Sequence, residues 1–302
     1  NSFWNSLHVL HERRVCWGND GGVLSRAEPS AVINGNLLSD LLWTHLLDKH
    51  HDQVQFQELP LSIDNLGDLQ CEFAWIVDAS GRKSAIAQKL GLGHRYAFGD
   101  RYLLSQEVQL TNSAQEDIYW IETVSEGWLF LAPLGNKRAV LQAMVPLISE
   151  KSLDLLGILL KRSRHIKEYI SKISESIVTF PAFPQILQPL SSNKYLAVGD
   201  AAFSVDPISG DGTGYAIRGA ILVTSIINAI ASGLSRSDSL EHYALRLEKA
   251  FDAHLQQCLE YYPKGFTSSH WQRENEKMKT TQKKKKKKKN RVFTHTLKDF
   301  QL

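Results

Sequence analysis

The chain has 302 residues, of which 43% are apolar and 22% charged, a composition typical of a soluble globular protein of one or two domains. Its net charge of +3 combines +9 on residues 271–302 with −6 on residues 1–270. An acidic body argues against a nucleic-acid groove, so nucleic acid is excluded as the expected partner. Much of the basic charge lies in seven consecutive lysines, Lys283–Lys289, and residues 266–302 are predicted to form a basic, disordered tail. The alternative interpretation of the lysines is a tail that binds nucleic acid or an anionic membrane.

The three cysteines are odd in number and lack metal-ligand spacing, which indicates buried or incidental thiols in a reducing compartment. We therefore expect a cytoplasmic protein with no metal site. Residues 1–15 carry too many charges for the apolar core of a signal peptide. The most apolar segment, Ala216–Leu234, is interrupted by Arg218 and Asn228, so it is predicted to be a buried helix and not a membrane span.

The first third of the chain mixes helices and strands. Residues 1–30 are predicted to be irregular because glycines and charges break any period. Leucines at helical spacing predict an amphipathic helix over Asn36–His50, and alternation predicts a strand over Gln53–Leu59. A short apolar run, Glu72–Val77, predicts a buried strand, which is followed by a helix over Lys83–Leu90.

The middle of the chain predicts an antiparallel sheet. Four alternating segments are separated by polar turns: Tyr102–Leu110, Asp117–Val124, Gly127–Pro133 and Arg138–Val145. Residues 151–174 are predicted to be helical, and three prolines between residues 181 and 189 mark a connecting loop. A final helix is predicted over Asp238–Tyr262, after which no period persists.

The most informative stretch runs from residue 195 to residue 214. An apolar strand, Tyr195–Val198, ends in Gly199-Asp200, and a loop with Asp206-Pro207 and three alternating glycines then leads into a helix. Glycines let a ligand approach bare backbone, and the amides that open a helix favour negative charge. The pattern predicts a site for a polar or anionic ligand. The alternative interpretations are an Asp that caps a helix and a tight turn without a ligand.

A second stretch repeats this pattern. Asp78 follows the predicted strand Glu72–Val77 and is itself followed by Gly81, Arg82 and the start of a helix. The alternative interpretation is a common turn between a strand and a helix.

The order of these motifs resembles FAD-dependent monooxygenases of the p-hydroxybenzoate-hydroxylase type. The likeness is strongest to the branch with the tryptophan halogenases and the oxidoreductases that mature protein-derived quinone cofactors. The resemblance covers roughly residues 30–262 and includes the segment Gly127-Trp128 to Ala132-Pro133-Leu134. It implies an α/β FAD-binding domain of the glutathione-reductase-like type with an antiparallel-sheet substrate domain. The expected boundaries are residues 1–95 and 181–265 for the first domain and 96–180 for the second.

The resemblance also implies roles for individual residues. Asp200 would bind the ribityl chain, while Pro207 and the backbone of Gly210–Gly214 would lie along the isoalloxazine ring. The positions implied to bind FAD are Asp78, Gly81, Arg82, Gly199, Asp200, Asp206, Pro207, Gly210, Gly212, Thr213 and Gly214. Trp128 and Phe130 could line an aromatic substrate pocket or could be sheet core. No catalytic residue is assigned.

The chain departs from the resembled family at two places. It contains no Gly-x-Gly-x-x-Gly motif, which holds the pyrophosphate of FAD, so we expect an N-terminally truncated member. Asn36 or a neighbour stands where the family has an arginine. No Trp-x-Trp-x-Ile-Pro sequence is present, so halogenation is not supported.

The expected function is that of an FAD-dependent oxidoreductase, a monooxygenase that hydroxylates an aromatic or protein-side-chain substrate through a flavin hydroperoxide. Its electron donor would be reduced flavin or NAD(P)H. Two alternatives stay open. One is a non-enzymatic remnant of the fold, suggested by the missing loop and the lysine run. The other is a flavin-dependent reductase of double bonds, or a halogenase.

Overall fold

A computed structural model describes residues 7–18, 22–58, 62–146 and 155–285, with the backbone alone described at residues 63–65. The chain divides into two compact units. Unit 1 comprises Asn1–Glu58, Arg101–Pro181 and Pro263–Gln272. Unit 2 comprises Leu59–Asp100, Ala182–Tyr262 and Arg273–Leu302.

The described residues form strands and helices that are numbered here in chain order. The strands are β1 (His8–Cys16), β2 (Leu24–Val32), β3 (Ile76–Asp78), β4 (His94–Ala97), β5 (Arg101–Leu110), β6 (Ile118–Val124), β7 (Gly127–Gly135), β8 (Arg138–Pro146), β9 (Ile170–Pro181), β10 (Gln185–Gln188), β11 (Ser191–Ser192), β12 (Tyr195–Ala197) and β13 (Phe203–Ser204). The α-helices are α1 (Gly35–His50), α2 (Ile63–Glu72), α3 (Ala85–Lys89), α4 (Leu155–Arg162), α5 (Gly212–Ala231), α6 (Arg236–Gly265) and α7 (Ser269–Lys285).

Unit 1 is built on one seven-stranded sheet in the order β2-β1-β6-β7-β8-β5-β9. All neighbours pair antiparallel except β1 and β6, which run parallel. The main core lies on one sheet face, where alternate residues of β7 and β8 such as Leu129, Leu131 and Leu141 pack with Leu156 and Leu159 of α4. The four strands predicted from alternation are confirmed as β5 to β8.

The N-terminal segment differs from its prediction. Residues 8–32, expected to be irregular and assigned with residues 1–95 to the FAD-binding domain, instead form β1 and β2 of the unit 1 sheet. The apolar alternation expected of a strand is missing in β1 and β2, because many of their positions hold charged side chains that pair with each other. Arg13 lies 2.9 Å from Glu28, and Tyr119 donates a hydrogen bond to the same carboxylate. Polar pairs of this kind stabilise a sheet without any apolar alternation.

The segment after α4 also differs. The sequence predicts one helix over residues 151–174, but helix α4 ends at Arg162 and residues 170–181 form the edge strand β9. The spacing of Ile170, Ile173 and Ile177 resembles a helix. On β9 register shifts against β5 accompany that spacing, with Ile173 paired with Val108 and Ile177 with Gln106. Bulges of this kind disturb the two-residue period of a strand.

Helix α1 confirms the predicted helix over Asn36–His50 and begins one residue earlier, at Gly35. Asn34 caps it by accepting hydrogen bonds from the amides of Asn36 at 2.9 Å and Leu37 at 3.3 Å. No residue of α1 is buried, and Leu42 and Trp43 are 61% and 46% exposed. The helix therefore presents an apolar face that the described residues leave uncovered.

Unit 2 contains two three-stranded sheets, ordered β13-β10-β4 and β11-β12-β3. Strands β12 and β3 pair in parallel. The predicted helix over Lys83–Leu90 is shorter in the structure, where a 3₁₀ turn over Gly81–Lys83 precedes α3. The predicted strand Gln53–Leu59 does not form over its described residues 53–58, and residue 59 lies outside them.

The predicted disordered tail is wrong over residues 269–285. These residues form α7, in which Trp271 and Met278 are fully buried. The helical period is hidden because polar residues, Asn275 and Gln282, occupy the same buried face. The rest of the predicted tail, residues 286–302, lies outside the described residues.

Helix α5 contains the segment predicted to be apolar and buried. It is long and apolar enough to cross a membrane by length and composition, and in the described residues it is the one helix of which this is true. A third of its most apolar window is buried, including Leu222, Val223 and Ile226. Length and composition alone are weak grounds for a span, because the core helix of a soluble protein passes the same test.

Candidate functional site

The two motifs singled out from the sequence meet at one edge of a sheet in unit 2. Strands β3 and β12 are parallel, with Ala197 opposite Asp78, so their carboxyl ends lie side by side. The Val198 amide donates to the Asp78 carbonyl at 2.9 Å, and Ser84 Oγ donates to the Ala201 carbonyl at 2.8 Å. Ligands of α/β proteins bind beyond this edge of a parallel sheet. The pairing therefore brings both predicted half-motifs into one site.

Asp78 is fully buried and serves this site by holding its turn. Its carboxylate accepts hydrogen bonds from the Ser80 amide at 3.0 Å, the Ala87 amide at 3.2 Å and the Tyr195 hydroxyl at 2.9 Å. Burial, followed by the charge of Asp78, raises the pKa of Tyr195, which keeps its phenol protonated as a donor. With its oxygens engaged in this way, Asp78 fixes the start of α3.

Arg82 lies on the 3₁₀ turn that follows Asp78. Its guanidinium carbon is 4.5 Å from the centre of the Phe183 ring, and it donates a hydrogen bond to the Phe183 carbonyl. Its own carbonyl accepts from Arg95 at 2.9 Å and Gln185 at 2.5 Å. Gly81, at φ +75°, opens this turn, and no atom lies within 4 Å of where a Cβ would stand. Arg82 is thus held in place beside an open stretch of backbone.

Asp200 is the exposed acid of the site. It follows β12 on a 3₁₀ turn, and among the residues that the structure describes none donates a hydrogen bond to its carboxylate. Desolvation by the surrounding protein raises the pKa of Asp200, and the positive charge of Arg82 partly opposes this shift. A solvent-accessible, partly desolvated carboxylate without a protein donor is suited to accept a hydrogen bond from a ligand hydroxyl.

Gly199 lets the next helix approach this turn. Its φ is +58°, and a Cβ there would lie 3.4 Å from the Cβ of Ala216 on α5. Gly219, one turn further along α5, would place its Cβ 3.4 Å from Val198. The two glycines allow the helix and the strand end to pack closely, which fixes the helix start beside Asp200.

Helix α6 holds the loop that contains Asp206 and Pro207 and leads into α5. Asp206 is fully buried, and its Oδ1 accepts from the Ile208 amide at 3.0 Å and the Tyr262 hydroxyl at 2.7 Å. Its own amide donates to Nε2 of the buried His254 at 2.7 Å. Asp206 therefore orders the turn that contains Pro207, rather than facing outward.

His254 and Tyr262 were not predicted from the sequence. They lie 48 and 56 residues after Asp206, and with Cys258 they share one face of α6 at four-residue intervals. Polar residues at that interval on one face of a long helix are the signal that could have indicated a buried network.

The start of α5 presents bare backbone. Gly210, at φ +61°, and Gly212 have open space or a single atom at 3.9 Å where a Cβ would stand. Asp211 precedes the helix without capping it, so the first amides keep no acceptor from its side chain. Thr213 is exposed. These amides carry the positive end of a 20-residue helix dipole.

Gly214 leaves room for two side chains that pair across the start of α5. A Cβ there would lie 1.9 Å from Asp211 Oδ1 and 3.0 Å from Arg218 Nη1. Asp211 and Arg218 form an ion pair at 2.5 Å that crosses the first turn of the helix, and Arg218 also stacks 4.7 Å above the Tyr215 ring.

The aromatic residues proposed for a substrate pocket lie in unit 1. Trp128 is 3% exposed on β7, and Phe130 packs edge-on against Tyr119 with ring centres 6.0 Å apart. They share the sheet face opposite Leu129 and Leu131. For Trp128 this placement fits the sheet-core interpretation. Across the described ranges, no group of three His, Cys, Asp or Glu residues could hold a metal ion.

Comparison with known proteins agrees with the resemblance seen in the motifs. No protein-family model matches the chain. Over 155 residues it is 26% identical to the putative FAD-dependent oxidoreductase LodB of Marinomonas mediterranea, covering 48% of this chain and 42% of LodB. The flavin-dependent halogenase CmlS superposes with a TM-score of 0.75 at 14% identity, over 94% of this chain and 60% of CmlS.

The fold is that of the flavin-dependent halogenases. The myxobacterial chondrochloren halogenase CndH gives a TM-score of 0.74 at 17% identity, over 90% of this chain and 72% of CndH. The peptidyl tryptophan dihydroxylase QhpG, essential for tryptophylquinone cofactor biogenesis, gives 0.64 at 16% identity, over 90% of this chain and 65% of QhpG. The predicted relationship to FAD-dependent oxidoreductases is confirmed. The chain spans less than half the length of the curated relative that it matches.

The residues of the site fit one half of FAD. An unpartnered carboxylate, open glycine backbone and uncapped helix amides suit a ribityl chain and the carbonyl-bearing edge of a flavin ring. The other half of the cofactor needs a pyrophosphate loop, and the 302 residues contain no Gly-x-Gly-x-x-Gly.

Proposed function

We propose that this chain supplies the flavin-ring half of the FAD site in an FAD-dependent monooxygenase. The observation that carries the proposal is the parallel pairing of β3 and β12, which brings Arg82, Asp200 and the start of α5 to one edge. Bound FAD would supply the activation of oxygen, and the residues of this chain would bind and orient it.

Asp200 would accept a hydrogen bond from a ribityl hydroxyl. Its carboxylate has no donor among the described residues and is partly desolvated, so a ligand hydroxyl would relieve an unfavourable state. Arg82 would keep this carboxylate ionised, because its charge opposes the effect of desolvation. Together they would fix the position of the sugar chain relative to the loop.

The start of α5 would hold the ring. The backbone of Gly210 and Gly212 is open to a flat ligand, and the amides at residues 212–214 would stabilise negative charge at its carbonyl edge. The Asp211–Arg218 ion pair lies at the same turn and adds no net charge, so the helix amides supply the stabilisation. The arrangement thus favours a ring that gains negative charge on reduction.

Pro207 would lie along the flavin ring and help to position it, and it has no proton to donate. The turn over Pro207–Ser209 is held by the buried Asp206, His254 and Tyr262, so its backbone geometry is set before any ligand arrives. Preorganisation of this kind lowers the cost of binding.

The substrate that we propose is an aromatic compound or an aromatic side chain of a protein. Support comes from QhpG, which acts on peptidyl tryptophan and superposes over most of this chain. Phe130 is partly exposed on the sheet face opposite the main core and is the aromatic residue we assign to a substrate contact.

The experiment is to purify the longest natural protein that contains these residues and to record its visible spectrum before and after adding FAD. We expect flavin absorption, and oxygen consumption that depends on an aromatic substrate when a reductant is supplied. A protein that stays colourless with added FAD contradicts the cofactor proposal. A flavoprotein that turns over without oxygen contradicts the monooxygenase proposal.

Halogenation is a second candidate because CmlS and CndH superpose with higher TM-scores than QhpG. The same assay separates the two, since a halogenase needs chloride or bromide and yields a product that contains the halogen. Oxygenation in halide-free buffer favours the first proposal.

A further inference from the structure

A cavity of about 470 Å³ lies in unit 1, apart from the residues of the candidate flavin site. Its volume is within the range of small-molecule sites, roughly 300–1,000 Å³. The lining includes Arg162, Arg164, Thr123, Ser125, Thr267 and Ser268. Among the described residues, two arginines and no carboxylate line it, and because Arg162 is paired with Glu126, Arg164 supplies its uncompensated positive charge.

Arg164 is the group in this cavity that most needs a ligand. Its side chain is exposed, and within the described ranges its guanidinium makes no ion pair or hydrogen bond. The carboxylate of Glu122, which accepts from the Arg164 backbone amide, is buried and also accepts from Ser163 Oγ at 2.6 Å and the Ile166 amide at 3.0 Å. A guanidinium presents five donors and is suited to bidentate binding of an oxyanion.

Arg162 is the second arginine of the lining, and two contacts hold its side chain. It forms an ion pair with Glu126, and its Nη1 donates to Ser125 Oγ at 3.1 Å. These contacts fix its stem while part of the guanidinium stays exposed, since 48% of the side chain is accessible. A second positive group is thereby presented in a defined position.

Another part of the lining is closely packed. Gly18 donates its amide to Thr123 Oγ1 at 3.0 Å, and a Cβ on Gly265 would lie 2.8 Å from the Trp17 ring. Phe266 stacks on Trp271 with ring centres 4.4 Å apart and meets Trp17 edge-on at 5.7 Å. Close packing of this kind restricts the side chains on this part of the lining.

Two hydroxyls complete the set of donors. The hydroxyls of Thr267 and Ser268 have no partner among the described residues. Ser268 immediately precedes α7, so the cavity also borders the first amides of a 17-residue helix.

We propose that this cavity binds the phosphate group of a small molecule, with Arg164 as its principal ligand and Arg162, Thr267 and Ser268 as further donors. Arg164 brings to this cavity a guanidinium that is unpaired among the described residues, and two hydroxyls and a second, Glu126-paired guanidinium line it as well, a donor set that suits a phosphate. A larger cavity of about 790 Å³ in unit 2 offers no such match. There Lys285 is paired with Asp252 at 2.8 Å, and Glu248 accepts from Gln188 at 2.9 Å.

The test is a titration of the chain with inorganic phosphate at constant ionic strength, followed by the rise in melting temperature, with sodium acetate as a parallel arm. A ligand that binds the folded state raises the melting temperature as its concentration passes Kd. We expect a saturable rise with phosphate and a much smaller one with acetate. Arg164→Gln should weaken phosphate binding about tenfold or more, since it removes a charge-assisted contact.

Arg138→Gln is the matched control, because Arg138 is an exposed arginine of unit 1 that does not line the cavity. It should bind phosphate like the parent. Arg164→Lys keeps the charge and should restore part of the affinity, which separates lost binding from lost folding. Equal phosphate binding by the parent and Arg164→Gln overturns the proposal, as does the absence of saturable binding by the parent. Equal binding of acetate overturns the assignment to phosphate.

Discussion

Tyr262 donates a hydrogen bond to the buried carboxylate of Asp206 at 2.7 Å, across 56 residues of sequence. Both residues are fully buried, and Asp206 in turn caps the Pro207 turn through the Ile208 amide. One phenol on α6 therefore holds the loop that leads into α5, and with it the proposed ring site.

Removing the hydroxyl of Tyr262 should destabilise the fold. Tyr262→Phe leaves a buried carboxylate short of one donor, and we expect a loss of about 1.5–3 kcal/mol in the free energy of unfolding. Urea denaturation measures it. Tyr96→Phe is the control, because no hydrogen bond is described for the Tyr96 hydroxyl, and it should change stability by less than about 0.5 kcal/mol. Equal effects of the two variants would show that the loop does not depend on Tyr262.

Asp200→Asn should stabilise the free protein and weaken its ligand binding. The pKa of Asp200 is raised in the folded state, so unfolding favours its ionised form. Stability should fall as pH rises from the ordinary carboxyl pKa through the raised value and stay lower above it. The gain from Asn at neutral pH should be below about 1 kcal/mol, because solvent screens an exposed group.

Melting temperatures of Asp200→Asn and the parent between acidic and neutral pH test this sign. The two curves should converge at low pH, where the parent carboxyl is protonated, and separate as pH rises. A variant that is less stable than the parent at neutral pH would contradict the desolvation argument.

Gly199→Ala should destabilise unit 2. The substitution places a side chain at φ +58° and 3.4 Å from Ala216, so backbone strain and crowding add. We expect a loss of at least about 1 kcal/mol. Gly22→Ala is the matched control, because nothing lies within 4 Å of its Cβ position and no positive φ is present. Chemical denaturation compares the two, and a neutral Gly199→Ala would refute the close approach of α5.

The apolar face of α1 should be dispensable for the stability of this chain. Leu42 is 61% exposed, whereas Leu141 is fully buried in the unit 1 core. Leu42→Gln should change the free energy of unfolding by less than about 0.5 kcal/mol, and Leu141→Ala should cost about 2–5 kcal/mol. A large loss from Leu42→Gln would mean that α1 is covered by residues outside the described ranges.

Elements could be predicted from the sequence where apolar residues recur at the buried positions of a strand or a helix. Strands β5 to β8 were found in this way, because their inward positions are apolar. Strands β1 and β2 were missed because paired charges replace apolar residues. Strand β9 was missed because its isoleucines are spaced as in a helix, and the strand pairs with β5 through register shifts. Helix α7 was missed because Asn275 and Gln282 lie on its buried face.

The site followed the same division. The turn at Asp200 and the open glycine backbone at 210–214 could be predicted as local structure, because they lie at a strand end and a helix start, and their role in binding a cofactor stays a proposal. His254 and Tyr262 could not, since their partner Asp206 is brought to them by the packing of α6. Asp78 was assigned to the cofactor from its position, yet its oxygens are used within the turn.

The most direct measurement is the quenching of riboflavin fluorescence by this chain, compared between the parent and Asp200→Asn. Riboflavin carries the ring and the ribityl chain without the pyrophosphate. We predict saturable quenching by the parent, an affinity lowered about tenfold in Asp200→Asn, and no change in Asp238→Asn, a variant of an exposed acid in the first turn of α6. Absent quenching, or quenching unaffected by Asp200→Asn, would contradict the assignment of the flavin-ring site.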